Sequence, residues 1–225
     1  MPVDPNTAIE ITAFKWVPDF AKGVVRDLRV RWALEEAGLD YRVRLLDAMT
    51  ERPQDYFLEQ PFGQVPIFVE GDLRMFETGA ILLHLGERSE ALLPRDPAAR
   101  ARAIQWVFAA LNSIEPHVQN YAMMTGFYAG EQWARLRAPE ARKLAESRLD
   151  ALAERLGDGE YLEDRFTAGD LMMTAVLRIL RDTDLLEPRP TLAAYQARQE
   201  ARPAFQRALD AQLADFTGSP PPGMG

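Results

Sequence analysis

From Ile9 to Phe14 apolar and polar side chains alternate, Ile9, Ile11 and Ala13 against Glu10 and Thr12, the period of two that marks a half-buried strand. Val17-Pro18-Asp19 ends the alternation, because proline offers no N–H to a ladder. From about Val24 to Ala37 the period becomes helical, with Val30, Ala33, Leu34 and Ala37 on one face and Gly38 placed to close the helix. Tyr41 to Leu46 alternates again, and a short helical piece is expected near Pro53 to Leu58. Pro61-Phe62-Gly63-Gln64-Val65-Pro66 excludes regular structure. Ile67-Phe68-Val69 and Leu73 to Phe76 flank Glu70-Gly71-Asp72 and predict an antiparallel hairpin. Thr78 is placed to cap a helix carrying Ile81, Leu82 and Leu85. The order strand, helix, strand, helix, strand, strand, helix implies a parallel pair joined by a right-handed crossover and closed by an antiparallel edge.

Beyond about Asp96 the pattern is helical alone. Ile104, Val107, Phe108 and Leu111 form one stripe, Leu149, Leu152, Ala153 and Leu156 another, and Pro116 should kink or break the first of these helices. Leu171 to Leu180 is apolar on nearly every side and predicts a helix through the middle of its domain. Ahead of it, Thr167 and Asp170 have the spacing of a capping box, with Asp in place of Glu or Gln, which makes Asp170 structural. Pro203 fits the first turn of a last helix carrying Phe205, Leu209 and Leu213. The expected division is residues 1–90, a linker at 91–97, an all-helical domain at 98–217 and a disordered tail at 218–225.

Composition narrows the chemistry. The 225 residues are 47% hydrophobic with a net charge of 26 − 34 = −8, enough apolar matter for a core. A pI near 4.9 argues against a nucleic-acid partner, which needs a basic surface. Zero cysteines exclude disulfides, thiolate metal sites and any mechanism using the protein's own thiol. Two histidines, His84 and His117, leave little room for a metal site or a serine–histidine triad, so no metal is expected and both are taken as ordinary helix residues. No stretch approaches the roughly 20 apolar residues of a membrane span, and MPVDPNTAIE lacks a signal pattern. A cytoplasmic protein without a membrane partner is expected.

Four segments, in order and spacing, resemble the cytosolic glutathione transferase family, of bacterial type, over essentially the whole folded chain. Val30-Arg31-Trp32-Ala33-Leu34-Glu35-Glu36-Ala37-Gly38 is similar to the end of that family's first helix. Pro61-Phe62-Gly63-Gln64-Val65-Pro66 is similar to its loop before the third strand, and Phe76-Glu77-Thr78-Gly79-Ala80-Ile81 to its step into the third helix. Phe166-Thr167-Ala168-Gly169-Asp170 resembles the capping motif of its buried helix. The resemblance implies a thioredoxin-like N-terminal domain, βαβαββα, followed by an all-helical domain, a homodimer, and glutathione as ligand and co-substrate.

Under that resemblance the glutathione-binding residues are Gln64, Val65, Pro66, Glu77 and Thr78. Val65-Pro66 is a candidate cis peptide, and Val65 would turn its backbone N–H and C=O toward the cysteinyl unit of an extended tripeptide. Glu77 would hold the α-ammonium of the γ-glutamyl group, and Thr78 with the helix N–H groups its carboxylate. Gln64 would reach the glycyl carboxylate or the cysteinyl backbone, with an exposed polar loop residue as the plain alternative.

The first loop departs from the family. Most members place Tyr, Ser or Cys there to bond the glutathione sulfur and lower its pKa from near 8.5. Residues 15–26, KWVPDFAKGVVR, contain none of them, and Thr12 lies too deep. The substitutes are the indole N–H of Trp16, the charges of Lys22 or Arg26, and backbone N–H groups of a helix starting near Val24. The leading reading is an enzyme conjugating glutathione to a small hydrophobic electrophile, or reducing a small-molecule disulfide with it. The electrophile is expected between the domains, against Trp16, Phe20, Asn112, Glu115 and Tyr121, with Met123, Met124, Phe127 and Tyr128 as a pliable wall or as core. The alternative is a non-catalytic binding or scaffolding dimer.

Overall fold

The computed structural model describes residues 3–48 and 52–219. Strand β1 (Ile9–Phe14) lies inside a four-stranded sheet of order β2-β1-β3-β4, with β2 (Arg42–Leu46), β3 (Phe68–Glu70) and β4 (Leu73–Met75). It runs parallel to β2, with Ile11 facing Val43, and antiparallel to β3, with Ile11 facing Phe68. The hairpin closes as expected, Phe68 opposite Met75 and Glu70 opposite Leu73, around Gly71 at φ 58°.

The connecting helices are α1 (Asp27–Ala37), α2 (Tyr56–Glu59) and α3 (Thr78–Gly86). This is the βαβαββα order that the pattern implies and the thioredoxin-like topology that the resemblance implies. Val30, Trp32, Ala33 and Leu34 are fully buried, and Gly38 closes α1 in the left-handed region at φ 65°, its N–H reaching Glu35 and Leu34 carbonyls.

Two local expectations fail. The first helix begins at Asp27, not Val24, because Gly23 sits at φ 77° and the Val24 N–H already closes a turn onto the Ala21 carbonyl at 3.1 Å. Thr78 is not the N-cap: Glu77 holds that position at φ 70°, with no side-chain cap.

The helical elements that follow are α4 (Pro97–Ala109), α5 (Glu115–Thr125), α6 (Gln132–Leu156), α7 (Ala168–Leu177), α8 (Pro190–Glu200) and α9 (Pro203–Ala214). Between α4 and α5 the chain makes a π-helical turn, Ala110–Ile114, and Pro116 sits in the first turn of α5, where its missing N–H costs nothing. All ten residues of α7 are buried, so the helix passes through the middle of its unit as its composition requires. Gly169 is needed there: a Cβ would stand 2.5 Å from the Trp106 Cβ on α4.

The apolar stripes hold in part. Leu149, Leu152 and Leu156 are buried, but Phe108 and Leu213 face solvent at 52% and 43% exposure. The buried face of α4 runs through Ala103, Trp106 and Val107, and that of α9 through Ala204, Phe205, Ala208 and Gln212.

By its contacts the chain divides into two compact units, residues up to Leu92 together with those from Arg202 onward, and Leu93–Ala201. Helix α9, which the pattern places in the helical domain, therefore groups with the sheet. It packs on α1, with the Trp32 and Phe205 rings edge to face at 4.9 Å and the Arg202–Glu36 and Arg207–Glu35 ion pairs at 2.6 Å. The expected disordered tail starts too early, since Gly218 donates its N–H to the Lys15 carbonyl at 2.7 Å. Residues 220–225 lie outside the described ones. Among the described residues no helix is long and apolar enough to cross a membrane.

Candidate functional site

The segment 61–66 is held from beneath by a buried polar relay. Thr12 on β1, with no exposure, accepts a hydrogen bond from the Ile67 N–H at 2.8 Å, and its own N–H donates to the Ile67 carbonyl at 3.0 Å. Its hydroxyl also meets the Tyr56 hydroxyl at 3.3 Å, and Tyr56 donates to the Gln64 carbonyl at 2.6 Å. Burial raises the Tyr56 pKa, so the phenol keeps the proton that it donates. Thr12 is thus fully buried, and it and Tyr56 set the position of Gln64 and Ile67. Sequence pattern alone gives no sign of this, because a polar side chain on a strand carries no label for which partner it will meet.

From the outer side, Arg52 donates to the Gly63 carbonyl at 3.3 Å and to the Asp47 carbonyl, with its guanidinium 5.0 Å from the centroid of the Phe14 ring. Gly63, at φ 66°, keeps its Cα against the Phe57 ring, where a Cβ would come within 3.1 Å. Arg52 is a site-supporting residue that motif reading overlooks.

The Val65-Pro66 peptide is cis, and Val65 is buried while Gln64 is exposed. Among the described residues neither the N–H nor the C=O of Val65 has a hydrogen bond. A buried residue with an unmet donor and acceptor on its main chain is what a strand-like ligand pairs with.

Glu77 and Thr78 stand beside it. The β3–β4 ladder ends at the Phe68–Met75 pair, with Val65 three residues before it and Thr78 three residues after it. The Phe62 and Phe76 rings, 6.1 Å apart and edge to face, tie the same two segments together.

Thr78 is 6% exposed, yet its hydroxyl has no partner among the described residues and is absent from the fully enclosed unpaired atoms, so it opens to solvent. The first N–H groups of α3 lie beside it. Free N–H groups at a helix N-terminus are the kind of donors that anions bind. Glu77 at φ 70° adopts a conformation costing a non-glycine residue about 1–3 kcal/mol, and its exposed carboxylate has no ion pair among the described residues.

The first loop is described by itself. Trp16 is half-buried, and its indole N–H has no hydrogen bond among the described residues. Lys22 is 2.6 Å from Asp19, whose carboxyl it lowers below the usual range, and Arg26 is exposed and already engaged. The backbone N–H expected near Val24 is consumed by the Ala21 carbonyl. Phe20 presents its ring at 54% exposure on a short 3-10 turn, Asp19–Ala21.

Asn112, Glu115 and Tyr121 belong to the helical unit. Asn112 is exposed on the π-helical turn and Glu115 is buried. Tyr121 accepts a hydrogen bond from Arg142 at 3.1 Å and lines a cleft of about 440 Å³ with Met124, Pro139 and Arg142, which includes neither of the other two. Of the expected pliable wall, Met124 is core while Phe127 is 58% exposed. Among the described residues no group of three or more His, Cys, Asp or Glu is gathered to hold a metal.

Thr12→Val tests the relay. It keeps the shape but leaves the buried Ile67 N–H unmet, a cost of about 1–3 kcal/mol. The urea midpoint should fall accordingly, and the Tyr56 contact to Gln64 should loosen.

Residues 21–87 match the glutathione S-transferase N-terminal domain. Glutathione S-transferase Z1 of Arabidopsis thaliana is 33% identical over 206 residues, covering 85% of this chain and 90% of that protein. Glutathione S-transferase F14 of the same plant is 29% identical over 194 residues, 79% of this chain and 76% of its own length. Among solved structures, the theta class glutathione S-transferase of Xanthomonas axonopodis pv. citri with glutathione bound superposes with a TM-score of 0.77 at 25% identity, over 90% of this chain and 97% of that one. A glutathione transferase of Burkholderia graminis, with two glutathione molecules bound per subunit, gives 0.78 at 24% identity, over 90% and 88%. With this likeness running through both units, the chain belongs to the glutathione S-transferase family.

Proposed function

We propose that the protein binds glutathione along Gln64, Val65 and Pro66 and at the Glu77–Thr78 step, and uses its thiol to attack a small hydrophobic electrophile or a small-molecule disulfide. The observation that carries this is that, among the described residues, the Val65 main chain and the Thr78 hydroxyl at the start of α3 have no hydrogen-bond partner, on two segments that the Phe62–Phe76 contact joins. Glutathione supplies the nucleophile. The chain's residues bind it, orient it and stabilise charge on its sulfur.

Pairing with Val65 fixes the cysteinyl unit, Thr78 and the α3 N–H groups take the γ-glutamyl carboxylate, and Glu77 takes the ammonium. Among the three candidates for the sulfur contact, Trp16 stands first, since its N–H is unengaged while Lys22 is drawn to Asp19. One hydrogen bond to the thiolate, supported by the charges of Lys22 and Arg26, replaces the hydroxyl that most members use. On the electrophile side the first unit offers Trp16 and Phe20. A cytoplasmic homodimer completes the proposal, and a monomer mass by light scattering would refute that part.

The test is the thiolate absorbance near 240 nm of the protein with glutathione as pH is varied. Thiolate should appear about one unit or more below the free thiol's 8.5, and Trp16→Phe should move it back further than Lys22→Ala or Arg26→Ala. Thr78→Val and Glu77→Gln should each raise the KM for glutathione about tenfold, the worth of a hydrogen bond to a charged group. Tight binding with an unshifted thiol, and no turnover, would support the scaffolding reading that the missing Tyr, Ser and Cys favour. No binding would refute the site.

A further inference from the structure

Loop 15–26 leaves the sheet at Lys15, whose N–H donates to the Leu46 carbonyl at 2.9 Å, and under the proposed function it holds a hydrogen-bond donor against a sulfur. Two contacts from the far end of the chain address it at both ends. At its start, the Gly218 N–H donates to the Lys15 carbonyl at 2.7 Å, and a Cβ on Gly218 would stand 2.9 Å from that oxygen and 3.1 Å from the Trp16 Cβ. At its close, the Gln212 side chain, 1% exposed on α9, accepts from the Gly23 N–H at 3.1 Å and donates to the Val25 carbonyl at 3.2 Å and to the Asp27 carboxylate at 2.7 Å.

We infer that Gln212 is the positioning residue of the sulfur-contacting loop, and that the segment from Gln212 to Gly218 is the strap that sets where Trp16 presents its N–H.

The reasoning turns on what α9 needs for its own docking. Phe205 against Trp32, Arg202 with Glu36 and Arg207 with Glu35 already hold the helix on α1. An apolar side chain would fill the Gln212 position as well. Instead there is a buried amide, whose oxygen accepts the N–H of Gly23, at φ 77°, and whose N–H groups donate to the Val25 carbonyl and the Asp27 carboxylate, where the loop turns into α1. A buried amide costs free energy unless its bonds are made, and these bonds specify one loop path. The inference rests on the reading that loop 15–26 contacts the glutathione sulfur, whereas the glutathione-holding groups at Val65 and Thr78 do not touch the strap. Loosening the strap therefore affects thiol activation and spares glutathione affinity.

The test compares wild type with Gln212→Met, which keeps length and loses the hydrogen bonds, and with Gly218→Val, which pushes the strap off Trp16 without touching α9. Amide exchange is measured first, without glutathione. The Gly23 amide should exchange about tenfold faster or more in Gln212→Met, while Val30 to Leu34 in α1 stay protected. With glutathione, both variants should keep the KM within about twofold, lose about tenfold in kcat, and titrate the bound thiol at a higher pH. Unchanged Gly23 exchange in Gln212→Met overturns the inference. So does faster exchange with kcat and thiol titration unaltered, and so does a loss confined to KM. A wild type that binds no glutathione refutes the functional reading alone, because the exchange measurement still decides whether Gln212 orders the loop.

Discussion

Asp170→Ala is expected to lower stability by about 3–5 kcal/mol, the sum of several buried donors left without an acceptor, and to reduce the melting temperature by about 10 °C or more in a chain of this size. The carboxylate accepts the Leu162 N–H at 2.9 Å, the Thr167 N–H at 2.9 Å, the Thr167 hydroxyl at 3.2 Å and the Tyr195 hydroxyl at 3.0 Å, all without solvent access. It therefore joins three segments: the approach to α7, the capping box that starts α7, and Tyr195 on α8. An alanine returns none of these bonds. An N-cap alone is worth about 1 kcal/mol, so a loss of that size in calorimetry would show that the junction tolerates water and that Asp170 merely caps.

Asp170 also carries a pH signature. Burial, the largest influence, raises its pKa above 3.8, against the backbone and hydroxyl donors that pull it down. A folded value above the unfolded one means that the native state binds this proton more tightly. The associated stability is complete below the unfolded pKa and declines as pH climbs through the folded one. In Asp170→Asn that decline should vanish from urea midpoints taken upward from about pH 3.8, even though the variant is less stable throughout.

The box at Thr167 and Asp170 could be read in the sequence because its physics is local: two side chains three residues apart answer each other's backbone groups. The same locality exposes β1, the hairpin around Gly71 and the glycine closing α1. Where a structure depends on distant partners the sequence is silent. Nothing in Glu77 announces a positive φ, since only the junction of β4 and α3 demands it, and a hydroxyl at Thr78 then looks like a cap. The 25-residue α6 hides behind Pro139 and a mean composition too polar to show a stripe over its first half. Gln212 and Arg31 look like surface residues of amphipathic helices. They are buried because each helix covers the other's polar groups, and pattern in one helix cannot show what lies on its neighbour.

Of the proposed site, the residues Gln64, Val65, Pro66, Glu77 and Thr78 stand out in the sequence because a proline turn and the step into a helix are local patterns. The sulfur-contacting half does not. Its loop carries no residue type that names its chemistry, and what orders it, Gln212 and Gly218, lies about 190 residues away along the chain.

Arg31 joins that distant control to stability. Its guanidinium has no exposure, with Nε 2.8 Å from Asp27 and Nη2 2.5 Å from Asp215, and Asp27 in turn accepts from Gln212. Burial works against the charge, but the two carboxylates more than offset it and hold Arg31 protonated. Asp27 is itself pushed up by burial, with Arg31 and Gln212 opposing. Among the described residues Nη1 and the neighbouring Tyr41 hydroxyl have no hydrogen-bond partner, and burial raises Tyr41 to about 12, so the phenol stays neutral beside the cation. Arg31→Met leaves Asp27 buried with its countercharge gone, which costs about 3–5 kcal/mol.

Asp27→Asn in the Arg31→Met background should recover a large part of that loss, because the isolated charge disappears while an amide oxygen remains for Gln212. A buried pair is expensive to break and close to neutral to remove whole, and urea midpoints of the two single variants and the double variant separate these cases. If the double variant is no more stable than Arg31→Met, the bond to Asp215 and the packing of the guanidinium stem hold α9 on α1, and the Asp27 charge contributes little. If it recovers, the charge pair is dispensable for folding. What it then supplies is orientation, a fixed carboxylate that aims the Gln212 amide at the turn around Gly23.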